Sequence, residues 1–142
     1  GYKRLKPFTL APDRAVWSRD NRGAMIRAIG GAGDSGSRIE NRIGEPAANP
    51  YLYIASQIAA GMAGLAKTID PGAPSETPYE ADVERLPTSL MEAVEALDAS
   101  TFYRGAFGDQ FIDYIIGLKK AEIGRFLSEV TDWEQREYFS LF

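Results

Sequence analysis

The chain has 142 residues, with 16 Lys and Arg against 20 Asp and Glu, a formal net charge of −4, and neither Cys nor His. That removes disulfide frameworks, thiolate or imidazole metal clusters, thiol nucleophiles and Ser-His-Asp triads, and a net acidic balance argues against a nucleic-acid partner. At 44% hydrophobic and 25% charged the composition is that of an ordinary globular chain, one domain by length.

Charge is unevenly distributed. Residues 1–45 hold nine bases (Lys3, Arg4, Lys6, Arg14, Arg19, Arg22, Arg27, Arg38 and Arg42) against five acids. Residues 46–142 hold seven bases against 15 acids. The basic segment is mostly Arg, the residue suited to planar, bidentate recognition of carboxylate or phosphate.

Gly1 to Pro7 lacks the apolar core and small-residue cleavage site of a signal peptide. Asn21 to Ile29 reads as a strand, Gly30 to Ser37 as a Gly-rich loop, and Ser37 to Ile43 as a second, alternating strand. Together they suggest an antiparallel pair. The loop matches no Walker or dinucleotide pattern. The longest uncharged run, 46–66, contains Asn49, Pro50, Ser56 and Gln57 and is rich in Ala and Gly. It reads as a buried helix capped by Asn49, with Pro50 at its first position, rather than a membrane span. No membrane association is expected, and the cytoplasm is the expected compartment.

Residues 71–87 are loop-like, with Pro71, Pro74, Pro78 and Pro87. Thr88 or Ser89 opens a short amphipathic helix through Leu97. A longer helix is expected from about Gly108 to Val130, with Phe111, Tyr114, Ile115, Leu118, Ile123 and Phe126 as its apolar face. Thr131 or Asp132 caps a last helix through Tyr138. The expected fold class is α+β: short antiparallel strands in the Arg-rich site segment 1–45, then a mainly helical segment 46–142.

Arg38, Glu40 and Arg42 share one face of a strand by its period of two. They make either a solvated ion-pair ladder or a metal-holding carboxylate flanked by two anion clamps, and spacing alone favours the ladder. Arg22 and Arg27, five apart, fall on opposite faces of a regular strand, so both reach one site only through a bulge or at a strand end.

Tyr2-Lys-Arg-Leu5, Asn21-Arg22 with Ile26-Arg27, Arg38-Ile-Glu-Asn-Arg42 and Pro46-Ala-Ala-Asn-Pro-Tyr-Leu52 stand in an order and at intervals that resemble the C-terminal part of a glutamine synthetase catalytic domain. The resemblance implies an ATP-dependent ligase that joins ammonia or an amine to the γ-carboxyl of glutamate through a γ-glutamyl phosphate. It implies Mg²⁺ or Mn²⁺ as cofactor and a parent that forms a homo-oligomeric ring. It matches Glu40 to a carboxylate on the metal bridging the ATP phosphates and Arg22 to the arginine on the transferring phosphoryl group. Arg27 and Arg38 match nucleotide-phosphate contacts, and Arg4 and Arg42 match arginines on glutamate.

Two positions depart from the pattern. Leu10, in Phe8-Thr-Leu-Ala-Pro12, stands where ammonia-using members carry a loop Glu that binds and deprotonates ammonium. That favours a larger, less polar amine, as in γ-glutamyl-amide ligases, unless a neighbouring acid such as Asp13 substitutes. Ser35 stands where a lysine near the nucleotide is usual. Tyr79 lies near a tyrosine that some bacterial members adenylylate, but Thr77-Pro-Tyr-Glu-Ala81 does not match that motif, and it reads as a loop tyrosine. Family members are several times longer, so the chain is expected to be an inactive piece of a longer enzyme. The alternative for the isolated piece is a non-catalytic domain that associates through its helices, and its exposed apolar surface is expected to promote self-association.

Overall fold

Three short strands lead the fold in the computed structural model, which describes residues 1–141. They are β1 (Trp17–Arg19), β2 (Ile26–Ile29) and β3 (Arg38–Asn41), in the spatial order β1-β2-β3. The expected antiparallel pair is present as β2 and β3, with Arg27 opposite Glu40. Both strands are shorter than their sequence patterns. Asn21 to Met25 forms a turn rather than strand, in which the Asn21 side chain accepts from the Gly23 amide at 2.9 Å. Asn41 ends β3 by accepting from the Ile43 amide at 3.1 Å. Asparagine side chains compete with the ladder for backbone donors in this way.

β1 was not expected. It is three residues long and runs parallel to β2. Hydrogen bonds from the Ile26 amide to the Val16 carbonyl and from the Asp20 amide to the Ala28 carbonyl flank the pairing. So short a strand carries no alternation to read. The Gly-rich loop between β2 and β3 closes tightly. Gly30 has φ 84°, and a Cβ there would lie 2.6 Å from Ser37 Oγ.

Helix α1 (Pro50–Ala66) begins as expected, with the Asn49 side chain accepting from the amides of Tyr51 and Leu52. Its expected burial is not found. No residue of α1 is buried, and Tyr51, Ile54, Ile58, Met62 and Leu65 form an exposed stripe at helical spacing. An uncharged sequence sets the helix's preference for apolar contact, not the presence of a partner. The following loop is strapped to the strands: Trp17 Nε1 donates to the carbonyls of Pro71 and Gly72 at 3.0 Å, and the Leu86 amide donates to the Asp13 carbonyl at 2.9 Å.

The chain forms two compact units, Gly1–Thr88 and the segment from Ser89 onward. The second unit is helical: α2 (Leu90–Asp98), α3 (Thr101–Phe107), α4 (Asp109–Leu127) and α5 (Asp132–Tyr138). Val94, Ile112, Ile116 and Ile123 form its core, with Leu90, Leu97, Tyr103 and Phe107 packed against them. The expected apolar face of α4 is therefore met in part: Ile123 is buried as expected and Ile115 is half-buried, but the rest of that face is not. Ile112, Ile116 and Ile123 are buried, while Phe111, Tyr114, Leu118 and Phe126 are exposed. Two apolar stripes compete on this helix, and contacts with α2 and α3 select between them.

The sequence pattern missed α3. Ser100 caps it, and Gly108, at φ 85°, separates it from α4. The Arg104 guanidinium binds Asp98, Asp109 and Asp113, which pins the ends of the helices around it. α5 opens on a capping box, Thr131 with Glu134, at the position expected. Among the described residues no helix is long and apolar enough to cross a membrane.

Candidate functional site

The first unit sets two arginines, Arg27 and Arg42, on one carboxylate. The β2–β3 register sets Arg27 directly across from Glu40, and Arg27 Nη1 donates to Glu40 Oε2 at 3.3 Å. Arg42, two residues along the chain from Glu40, donates from Nη1 to the same oxygen at 2.8 Å. The Arg42 hydrogen bond, with Arg27 beside it, holds the Glu40 carboxyl below its ordinary value, against an opposing contribution from burial. Glu40 is therefore an anion at neutral pH.

Arg42 is also the tie between separate segments. Its Nε donates to the Arg22 carbonyl and its Nη2 to the Leu10 carbonyl, both at 3.0 Å. Arg4, from the single 3₁₀ turn Tyr2–Arg4, reaches the Arg42 carbonyl with both Nη atoms at 3.3 Å. It also reaches the Gly44 carbonyl at 3.0 Å. Four of the residues expected to share a site, Arg4, Arg27, Glu40 and Arg42, thus form one connected network.

The other two expected residues sit differently. Arg22 joins the network through its backbone, while its exposed guanidinium has no hydrogen-bond or ion-pair partner among the described residues. It lies in the turn before β2, and its carbonyl, held by Arg42, brings the backbone of that turn to the network. Arg38 lies at the start of β3, its Nη1 closed on the Gly36 carbonyl at 2.9 Å, outside the ion-pair cluster.

Asp20 belongs to the site and was not foreseen. It forms a close ion pair with Arg27 Nη2, and this contact is the main reason that the Arg27 pKa is raised. Asp20 follows β1 directly, so a reading that lacked β1 had no way to bring it beside Arg27. Leu10 was singled out for its side chain; what the structure adds is that Arg42 holds its carbonyl, so the residue stands at the network's edge. Asp13 lies elsewhere. It is 7% exposed, and it pairs with Arg14 at 3.7 Å.

The donor set suits an anion better than a cation. Glu40 is paired with two guanidiniums, and the exposed guanidinium of Arg22, on the turn whose backbone Arg42 holds, is unengaged among the described residues. A hard divalent cation takes about six or more oxygen ligands. Glu40 Oε2 is shared by two guanidiniums, and among the described residues no group of three acidic side chains could hold a metal. These residues do not form a metal centre by themselves. They could hold a phosphate or carboxylate.

Comparison with known proteins gives the family of the chain. The sequence model of the family described as glutamine synthetase, catalytic domain, matches residues 1–138. A gamma-glutamylanilide synthase from an Acinetobacter species is 50% identical, over 99% of this chain and 31% of its own length. A gamma-glutamylethanolamide synthetase from Streptomyces coelicolor is 36% identical, over 97% of this chain and 30% of its own. Among solved structures, ligand-free apo GmaS superposes with a TM-score of 0.77 at 32% identity, covering 97% of this chain and 32% of that one. The chain thus spans about a third of the length of the curated relatives it matches.

Proposed function

The chain belongs to the glutamine synthetase catalytic-domain family, and from that premise we propose that the protein carrying it joins an organic amine to the γ-carboxyl of glutamate at the expense of ATP. ATP supplies the phosphoryl group that activates the carboxyl as a γ-glutamyl phosphate. In this reading Arg22 meets the transferring phosphoryl group, where positive charge counsels the developing negative charge toward stability. Arg27 and Arg38 face the nucleotide phosphates, and Arg4 and Arg42 orient the glutamate end. Glu40 holds Arg27 and Arg42 in register and offers one oxygen toward Mg²⁺ or Mn²⁺, whose other ligands come from outside the described residues. A homo-oligomeric ring is the assembly proposed for the whole protein.

The observation that carries the choice of amine is Leu10. Arg42 fixes its carbonyl beside the charged network, and its apolar side chain is 63% exposed. A leucine neither attracts ammonium nor accepts a proton, but it offers contact area to a carbon-bearing amine. The names of the two relatives described above, an anilide and an ethanolamide synthetase, point the same way.

The test is phosphate release by the full-length protein with ATP, Mg²⁺ and glutamate, across ammonium, alkylamines, polyamines and aromatic amines. Release that is fastest with an organic amine supports the proposal. Equal or faster release with ammonium makes the protein a glutamine synthetase in the strict sense and defeats it.

A further inference from the structure

The loop that carries Leu10 is strained and heavily tied. Phe8 has φ 60° and Leu10 has φ 56°, both in the left-handed region that bulky residues seldom occupy. Such conformations persist where the surroundings over-determine them. Thr9 Oγ1 donates to the Lys6 carbonyl at 2.7 Å, and Arg42 holds the Leu10 carbonyl. Tyr79 supplies the remaining tie. Its hydroxyl donates to the Ala11 carbonyl at 3.2 Å, and its ring lies 5.0 Å, centroid to centroid, from that of Phe8.

The same tyrosine touches the turn that carries Arg22. A Cβ on Gly23 would lie 3.0 Å from Tyr79 Cε2 and Cζ, so a side chain there would press on the ring. Ala11, Pro12, Ala24 and Pro78 are buried around this contact. One side chain, contributed by a proline-rich loop far along the sequence, therefore meets both the apolar loop and the turn that follows Arg22.

We propose that Tyr79 is a positioning residue for amine selection: it sets the spacing between the Phe8–Leu10 loop, on the amine side, and the Arg22 turn, on the phosphoryl side. This rests on the reading of the protein as a γ-glutamyl-amide ligase. The amine must attack the same carbonyl carbon that carries the phosphoryl group, so the spacing between the two sides decides whether the attack geometry is reached. Phe8 and Leu10 form the apolar wall, and an aromatic amine is the class of substrate that wall favours.

The experiment compares wild type, Tyr79→Phe, Tyr79→Ala and Gly23→Ala in the full-length protein. Phosphate release is measured against aniline, ammonium and glutamate concentration. Tyr79→Ala and Gly23→Ala raise the KM for aniline about tenfold or more and leave the KM for glutamate within about twofold. Tyr79→Phe, which keeps the ring and loses one hydrogen bond, raises it roughly threefold. A parallel rise in all three constants, or none, overturns the proposal.

Chymotryptic cleavage after Phe8, located by mass, provides a readout independent of turnover. Tyr79→Ala speeds that cut about tenfold while cuts in α4 are unchanged. Equal cutting after Phe8 in wild type and variant, zero included, overturns the proposal as well. If wild type releases phosphate with no amine, the ligase reading fails on its own account, and the cleavage rates still decide whether Tyr79 holds the loop.

Discussion

The two units are held together by different forces. In the helical unit, Val94, Ile112, Ile116 and Ile123 meet in an apolar core, and burial of branched side chains supplies the cohesion. In the strand unit the buried apolar residues are small, Ala11, Pro12 and Ala24. Cohesion there comes from ladder hydrogen bonds and from guanidiniums that reach carbonyls and carboxylates across long stretches of chain. Arg42 alone touches Glu40, the Arg22 turn and the Leu10 loop. Directional bonds fix positions more sharply than apolar contact does, and the unit that uses them is the one that holds the candidate chemistry.

That contrast can be broken most forcefully through the apolar core. Ile112→Ala removes a buried side chain between α4 and its neighbours and should cost about 2–5 kcal/mol, read as a lower urea midpoint of the helical signal. An unmoved midpoint would break the assignment of that core. Arg22→Ala probes the other unit. It removes an exposed guanidinium that has no partner among the described residues, so stability should hold while kcat for phosphate release falls by roughly 10²–10³. A midpoint shift as large as that of Ile112→Ala, with kcat intact, would reverse the roles given to the two units.

How much of this was legible in the sequence follows the same division. Asn49 placed one helix start, and the alternatives Thr88 or Ser89 and Thr131 or Asp132 placed two more to within a residue, because a side chain that accepts from its own following amides is a local device. The antiparallel β2–β3 pair was legible for a similar reason: a plausible strand and an alternating one joined by a Gly-rich loop. The parallel β1 was not, since three residues show no period and the pairing depends on distant backbone. The Asp20–Arg27 pair was lost with it. On α4 the helix was legible and its buried face was not, because the choice between the Ile112 stripe and the Phe111 stripe is made by α2 and α3. In the site, the types and order of residues announced a constellation. Only the fold showed that Arg4, Arg27, Glu40 and Arg42 join while Arg38 stands apart.

Two smaller effects sharpen the comparison. Thr131→Ala removes one half of the α5 capping box and should cost about 1 kcal/mol, seen as faster amide exchange confined to Asp132–Tyr138. Acid should act selectively on the strand unit. The Glu40 carboxyl is depressed from its ordinary value of 4.5, so its contribution is whole above that pH. It declines as pH falls below it and is gone once the folded carboxyl is protonated. Protection of the β2 and β3 amides, taken against their intrinsic exchange rates, should therefore fall with acidification below 4.5, and Glu40→Gln should abolish that component. Exchange at Ile112 and Ile116, whose core side chains do not titrate, should show no matching step.

The most direct measurement is the ratio of kcat/KM for aniline to that for ammonium in the full-length protein, for wild type and for Leu10→Glu. The account predicts a ratio well above one for wild type and a shift toward ammonium in the variant, because a carboxylate at that position attracts a cation and accepts its proton. A wild-type ratio of one or less, or a ratio that Leu10→Glu leaves unmoved, would contradict it.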